Sequence, residues 1–526
     1  MRTPPRTIDK KTLLALAGIV LVGAVCRLPL FSTDVAGLVT GKIVWFDEAY
    51  SMFFAGHRLA DVIRFSGYDS SPGLFVVLLH FWQLLFGAAV RAQAALPFIF
   101  SLAALPLSYL AGREFFGRRA GLAAALLLAL SPLHIKFAAE IRTYSLLFCL
   151  ALLSLLFLRR FLESGRTRDG LWWAVFSVLG LYSHYTFLFF FGLENLYVLA
   201  EIAGRGFRED RKWLALLAGS GAACLPLVIL FRRWGDLAGG GLSSSFFGRA
   251  FGHGGVISFL TYFATLYFGE RRFYFDDLLA SSWSVALGVA LAAALAWLVA
   301  VRRRERGVRL AGFLVGGGIL AFMAAGFIYD PRYYLIFAAP AILLAAAAFD
   351  RLRGWRAALA AGAVILALLP AVVGAWQVTP AAAFKYYAPY FAAKIERYEQ
   401  PGDLVLVDHA TDILFRLYYQ GHSDVKLFFP RGGRNVTDMF ERFRWFDYDS
   451  MSAADLRTLA DLTAGYQRVW TVDYYPQRTS LQDPEGLKRF WFSRNFVLQD
   501  VLEFPPAGDG VPEDGQKALL LLYARP

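Results

Sequence analysis

Cysteine is almost absent. Three residues in 526, Cys26, Cys149 and Cys224, each lie inside an apolar run, and none follows residue 376. That scarcity excludes a disulfide framework and a cysteine-built zinc site. Histidine is nearly as sparse: His80, His134, His184 and His253 stand alone, with no pair at metal-ligand spacing. Walker A loop, Rossmann glycine fingerprint and Ser-His-Asp order are all missing, so chemistry on a soluble nucleotide sugar has no support. Internal repeats and low-complexity tracts are missing too. The first apolar segment starts basic but carries no small-residue cleavage site, and it reads as an uncleaved span. Only 18% of residues are charged.

What fills the chain instead is hydrocarbon. Hydrophobic residues make up 57% and aromatics 16%, with mean hydropathy +0.47. Apolar runs long enough to span a bilayer recur over the first 376 residues, so the expected fold class is mainly α, a polytopic membrane protein. Eleven spans are expected, near 13–31, 93–111, 120–138, 144–159, 171–187, 188–202, 213–231, 281–301, 310–328, 333–349 and 357–376. The net charge of +12 is uneven: residues 1–376 hold 36 Lys/Arg against 21 Asp/Glu, and residues 377–526 hold 17 against 20. The basic residues sit in short clusters between apolar runs, for example Arg159, Arg160, Arg166 and Arg168, or Arg302, Arg303, Arg304, Arg306 and Arg309. That is the positive-inside pattern and not a nucleic-acid face.

Residues 72–90 decide the parity of the thread. They are apolar enough to cross, but a full crossing would turn five basic loops outward. The charge rule therefore lays this segment along the outer surface, and the interruptions His80 and Gln83 suit an interfacial helix. The N-terminus is then cytoplasmic, and external loops fall at 32–92 and 232–280. The Gly/Ser-rich stretch from Gly239 to Ser245 marks the second loop as a lid. Residues 380–526 change character. Short apolar strands (Leu404–Val407, Val425–Phe429, Arg468–Val472, Leu519–Tyr523) alternate with helical stretches, predicting a small extracytoplasmic α/β domain. The domains expected are thus 1–376 in the membrane and 380–526 outside it.

Polar residues between such runs carry the functional reading. Asp47 and Glu48 follow the first span in Trp45-Phe46-Asp47-Glu48-Ala49-Tyr50-Ser51. Carboxylates beside a bilayer are costly and usually have a task. One reading makes them a base on a membrane-embedded substrate, held at fixed depth by Trp45 and Phe46; the other makes Asp47 a helix N-cap. Glu140, Arg142 and Tyr144 open another span, where Arg142 suits a phosphate by paired N–H groups or forms a surface pair with Glu140. Arg332 and Tyr333 follow Asp330-Pro331 in a short external turn, as a second phosphate clamp or an interfacial anchor. His184 either lines a cavity or packs at the interface. Arg27 points at the site or snorkels.

In order and spacing these segments resemble bacterial membrane glycosyltransferases of the GT-C fold, similar to the protein O-mannosyltransferases and the lipid A aminoarabinose transferase. The resemblance covers about the first 376 residues. It rests on the Asp47 segment, on Gly112-Arg113-Glu114-Phe115-Phe116-Gly117-Arg118-Arg119-Ala120-Gly121, on Ser131-Pro132 leading to Glu140-Ile141-Arg142-Thr143-Tyr144, and on Arg332-Tyr333-Tyr334 with Pro340. The C-terminal region looks like the extracytoplasmic domain of many such enzymes. The resemblance implies a polyprenyl-phosphate sugar donor, Asp47 as catalytic base with Glu48 as its acidic neighbour, and basic residues on the lipid phosphate. It also implies residence in the bacterial cytoplasmic membrane among membrane lipids. Where many relatives carry His-Pro-Pro-Leu, this chain has Ser71-Pro72-Gly73-Leu74, preceded by Asp69-Ser70. That departure shifts the expected phosphate contacts to Arg142 and Arg332.

The chemistry expected is one direct displacement. Asp47 takes the proton of an acceptor hydroxyl, which attacks the anomeric carbon with inversion, and the arginines stabilise the departing phosphate. Glu48 orients the acceptor or tunes Asp47. Relatives include metal-dependent and metal-independent members, so the cofactor expectation is a possible divalent metal taking oxygens from Asp47, Glu48 and Asp69. The rival class is a lipid-linked sugar transporter. It needs ionisable groups deep in the spans, where Glu194 is the exception and reads as hydrogen-bonded structural burial.

Overall fold

The computed structural model describes residues 8–35, 39–65, 71–203, 211–230, 282–325, 331–376, 387–428, 451–475, 486–504 and 517–526. The expected lid at 239–245 and the candidate Asp69 lie outside these residues. The chain divides into two compact units. Within the described residues, one takes the chain up to Leu30 and the segments from 71 to 376; the other takes 31–65 and 387–526.

The first unit is helical. It contains α1 (Lys10–Val25), α4 (Leu74–Phe86), α5 (Val90–Phe116), α6 (Arg118–Ala129), α7 (Pro132–Lys136), α8 (Tyr144–Ser164), α9 (Thr167–Ser183), α10 (Phe187–Ala203), α11 (Arg211–Ala223), α12 (Ser282–Val301), α13 (Arg306–Ala325), α14 (Pro331–Ala346) and α15 (Trp355–Ala375). Among the described residues, five helices are long and apolar enough to cross a membrane: Lys10–Phe31, Val90–Phe116, Tyr144–Ser164, Arg332–Phe349 and Trp355–Val373. Leu21 and Leu366 are 67% and 74% exposed, which places bare hydrocarbon where a lipid would cover it. α4 has 13 residues, a rise of about 20 Å against a hydrocarbon core of about 30 Å.

α5 and α6 pack closely because glycine allows it. Gly117 joins them at φ +97°, a conformation that other residues rarely adopt. A Cβ at Gly121 would sit 2.6 Å from the carbonyl oxygen of Tyr109, so only a residue without one fits the crossing. The single span expected over 120–138 is interrupted. α6 ends at Ala129, Ser131 caps the one-turn α7 from its side chain, and Pro132 opens it. Proline lacks the N–H that an unbroken helix needs there.

Arg27 and Glu194, both ionisable and fully buried, tie helices of this unit together. Arg27 is fully buried. It donates to Ser101 Oγ (2.8 Å), Gly23 O (2.8 Å), Ala129 O (3.0 Å), Leu128 O (3.2 Å) and His134 Nδ1 (2.9 Å). It therefore caps the carbonyl end of α6 and does not snorkel, because its five N–H groups are all engaged inside the protein. Glu194 accepts from Ser154 Oγ at 2.8 Å and Trp173 Nε1 at 3.0 Å, the hydrogen-bonded burial expected of it.

The second unit begins with a hairpin, β1 (Thr33–Val35) and β2 (Val39–Gly41), followed by α2 (Phe46–Ala55) and α3 (Leu59–Phe65). Its C-terminal part contains α16 (Tyr387–Tyr398), β3 (Leu404–Asp408), α17 (His409–Arg416), β4 (Asp424–Phe428), α18 (Asp455–Thr463), β5 (Arg468–Tyr475), α19 (Leu487–Asn495), β6 (Val497–Phe504) and β7 (Lys517–Ala524). The sheet order is β4-β3-β5-β7-β6, with β3 parallel to β4 and β5, and β7 antiparallel to β5 and β6. Every residue of β3 is buried, as a central parallel strand covered on both faces requires. Its core gathers Leu404, Leu406, Phe428, Leu459, Val469, Phe492 and Leu521. β6 was not expected from the sequence. It is an edge strand, exposed along most of its length, with a register shift between Leu498 and Asp500.

Candidate active site

The acidic candidates belong to the second unit. After Gly41 the chain runs through Lys42, buried Ile43 and Val44 into α2, whose first turn carries Asp47 and Glu48. Glu48 is only 1% exposed. Its Oε1 receives Lys42 Nζ at 2.7 Å and its Oε2 accepts the Trp45 backbone N–H at 3.2 Å. Glu48 thus reaches back from the third helical position to the cap, as in half of a capping box. The cap is Trp45 and not Asp47, and the carboxylate that bonds the cap's N–H is Glu48. Asp47 remains half-buried in the first turn, and its carbonyl accepts Ser51 Oγ at 3.0 Å.

Sequence reasoning missed two residues beside these acids, Lys42 and Tyr418. The Tyr418 hydroxyl accepts the Val44 N–H at 2.7 Å and donates to the Val44 carbonyl at 3.5 Å. Tyr418 follows α17, and α17 packs on α2. The only sequence signal was an ordinary tyrosine 374 positions away.

The basic and aromatic candidates belong to the first unit and converge there. Between α7 and α8 the chain is irregular but buried, which is tolerated at membrane depth only when protein encloses it. Arg142 is 5% exposed and Tyr144 2%, which rules out a snorkelling surface arginine. The Arg142 N–H donates to Glu140 O at 2.6 Å, a tight turn, and Ser145 Oγ donates to Phe137 O at 3.1 Å, pinning the start of α8. Thr143 Oγ1 and Ser183 Oγ are hydrogen-bonded, tying that start to the end of α9. From α14, Arg332 Nη1 donates to Tyr144 Oη at 3.5 Å. Arg332, Arg142, Glu140 and Tyr333 all lie within electrostatic reach of the Tyr144 hydroxyl.

His184 completes the group. Its ring lies 6.2 Å from Tyr144 and 5.8 Å from Tyr333. The Thr186 N–H donates to its Nδ1 at 3.1 Å, so the ring proton of a neutral imidazole sits on Nε2. Ser71 is buried, and its hydroxyl finds no hydrogen-bond partner among the described residues. Two guanidinium groups near two tyrosine hydroxyls and an imidazole can hold an anion with fork-like geometry and little solvent.

Glu48 is poorly placed to take a cation. Both oxygens of Glu48 are taken, one by an ammonium that would repel a second positive charge. Among the described residues no group of three or more His, Cys, Asp or Glu gathers.

The family model for dolichyl-phosphate-mannose-protein mannosyltransferase matches residues 70–229, which include Arg142, Tyr144 and His184. No curated protein matches. ArnT from Cupriavidus metallidurans in the apo state superposes with a TM-score of 0.58 over 97% of both chains, at 13% identity. The same protein bound to undecaprenyl phosphate gives 0.56 over 98% of both, also at 13% identity. The chain has the GT-C fold. The oligosaccharyltransferase AglB from Archaeoglobus fulgidus, in complex with an inhibitory peptide and a dolichol-phosphate, gives 0.52 over 88% of this chain and 69% of its own, at 13% identity. The GT-C match to ArnT runs nearly the full length of both chains, so it takes in the C-terminal mixed sheet as well as the helices.

Proposed function

We propose that the protein is a glycosyltransferase that moves a sugar from a polyprenyl-phosphate donor to a hydroxyl acceptor at the outer face of the bacterial cytoplasmic membrane. The observation that carries this reading is that the buried turn holding Arg142 and Tyr144 meets Arg332, 190 positions beyond Arg142, whose Nη1 donates to the Tyr144 hydroxyl. A GT-C structure bound to undecaprenyl phosphate superposes over nearly the whole chain, which supports a lipid phosphate as the anion. Eleven spans, a cytoplasmic N-terminus and an external C-terminal domain at 380–526 complete the proposal.

The reaction follows from charge. Asp47 accepts the proton of the acceptor hydroxyl as its oxygen attacks the anomeric carbon. The bond from that carbon to the phosphate oxygen breaks, and its electron pair leaves with the polyprenyl phosphate. Arg142 and Arg332 stabilise the charge gained there, so their interactions strengthen as the bond breaks. Tyr144, Tyr333, Glu140 and His184 line the donor side. A single displacement inverts the anomeric centre. No step is routed through a metal. Transport without chemistry is the weaker reading because Arg27 and Glu194, fully buried among the helices, are both engaged in internal hydrogen bonds.

The test uses the full chain in proteoliposomes with a panel of undecaprenyl-phosphate hexoses and pentoses and total bacterial membrane lipid as acceptor. Released undecaprenyl phosphate is measured. Asp47→Asn should lower turnover by at least about 10²-fold, the usual cost of losing a general base, with insertion and thermal stability retained. Near-normal turnover in that variant would remove Asp47 from the role.

A further inference from the structure

The second unit joins the acidic segment to the C-terminal domain through a continuous chain of bonds. β3 is buried throughout and ends at Asp408, whose carboxylate accepts the Thr411 N–H at 2.8 Å and so caps α17. Asp412 and Arg416 pair at 2.6 Å along that helix. After α17 the chain turns, with the N–H groups of Tyr418 and Tyr419 both donating to Phe415 O at 3.0 Å. Tyr418 then engages both backbone polar groups of Val44, and Val44 is completely buried. Three residues on stands Asp47. From the other side, the Lys42–Glu48 pair fixes the start of α2.

A backbone N–H buried beside α2 needs a partner, and here the partner is one side-chain hydroxyl supplied by a distant part of the chain. The bond therefore sets the register of residues 42–48 against α17. We propose that Tyr418 is a positioning residue: the C-terminal domain serves the reaction by holding the Val44–Asp47 segment so that the Asp47 carboxylate starts each turnover in one orientation. The inference rests on the assignment of Asp47 as base. It gives the domain a task that needs no contact with donor or acceptor. Tyr418 touches no reacting atom; its effect passes through the backbone of Val44 to the first turn of α2. Displacement of a base by about an ångström lowers rate constants strongly while leaving donor affinity alone.

The experiment compares the full chain with Tyr418→Phe in the same proteoliposomes. Phenylalanine keeps the ring and removes the hydroxyl. Amide hydrogen exchange is read over residues 43–50, and kcat and KM for whichever undecaprenyl-phosphate sugar the wild type uses are read separately. Exchange should quicken by roughly tenfold at Val44, the scale of one lost hydrogen bond. The kcat should fall by roughly tenfold or more with donor KM unchanged. Unchanged exchange overturns the clamp, and faster exchange with unchanged kcat overturns its role in the reaction. A rise in donor KM alone also overturns it, since that is a binding effect. If Asp47→Asn is inactive while Tyr418→Phe behaves as wild type, the positioning role falls and the proposed function stands. If Asp47→Asn is active, Asp47 is not the base and the positioning role falls with it, while the glycosyltransferase reading is decided by release of undecaprenyl phosphate from the wild type. Should Tyr418→Phe fail to fold, wild-type exchange decides: Val44 must be protected like the β3 amides, and exchange at the rate of an exposed loop overturns the clamp.

Discussion

Asp47 and Glu48 are adjacent carboxylates of nearly identical chemistry, and position in the fold separates them. The sequence marks both, because two acids beside an apolar run are costly whichever does the work. It cannot assign the cap, since that depends on where the helix begins, and the helix begins one residue before Asp47. Glu48 is then turned inward onto Lys42 and the Trp45 N–H. A difference in phenotype follows. Glu48→Gln keeps an acceptor for Trp45 but strands the Lys42 ammonium without its counter-charge, a loosening of the segment and not a loss of the base. Turnover should drop by about tenfold in Glu48→Gln, far less than in Asp47→Asn, and its pH profile should keep the wild-type shape. A Glu48→Gln enzyme as inactive as Asp47→Asn, yet fully folded, would show that Glu48 takes part in the chemistry. Arg27 carries the same lesson: between snorkelling and facing a site, a sequence cannot see that Gly23 O and four acceptors from three other segments surround the guanidinium.

Elements were legible where local pattern and tertiary environment agree. β3, β5 and β7 correspond to short apolar runs because they are buried on at least one face, β4 is half-buried and ends in the buried Phe428, and the intervening helices follow their amphipathic spacing. β6 was not legible because an edge strand mixes Gln, Asp and Glu among its valines and leucines, and its bulge breaks the alternation. The break of 120–138 into α6 and α7 hinges on Ser131-Pro132, a pair whose meaning depends on the depth at which it lies. Within the C-terminal domain the turn at 419–423 is also built from a distance. Glu399, just after α16, accepts from Ser423 Oγ, from the Tyr419 hydroxyl, and from the N–H groups of His422 (2.9 Å) and Ser423 (3.0 Å). Burial works to raise the pKa of this carboxyl, but the hydrogen bonds from Ser423, Tyr419 and the two backbone amides outweigh it and hold the group below its usual range. A folded-state value below the unfolded one gives stability that is complete above about pH 4.5, the unfolded range, and is lost as pH falls through the lowered folded value. Amide exchange at residues 419–423 of the full chain should therefore quicken as the pH drops below that range, after correction for intrinsic rates. In Glu399→Gln it should be fast already at neutral pH and no longer respond to acid. A wild-type turn whose protection is flat from pH 6 to 3 would contradict this account.

At the scale of the molecule, hydropathy announces a membrane protein, while topology depends on one segment. Residues 72–90 are as apolar as a span, and composition alone would let them cross. The positive-inside count argues that they do not, and in the structure the helix they form stops after 13 residues at Gly87 (φ +84°). The sequence could give the charge count but not the stop, since a glycine in an apolar run is equally at home inside a transmembrane helix. Arg58 precedes α4 and Ala88 follows it, and both are exposed. A chain with its three native cysteines replaced by serine or alanine, carrying either Arg58→Cys or Ala88→Cys, separates the alternatives. If α4 lies along the surface, a membrane-impermeant maleimide added to intact spheroplasts labels both positions to the same extent. A third variant, Ser164→Cys, at an exposed position between α8 and α9, should react only after the membrane is opened. Opposite labelling of Arg58→Cys and Ala88→Cys would mean that α4 crosses, and Asp47 would then lie across the membrane from Arg142. A base and a leaving-group clamp on opposite faces cannot serve one displacement, so this single measurement bears on the topology and on the proposed chemistry together.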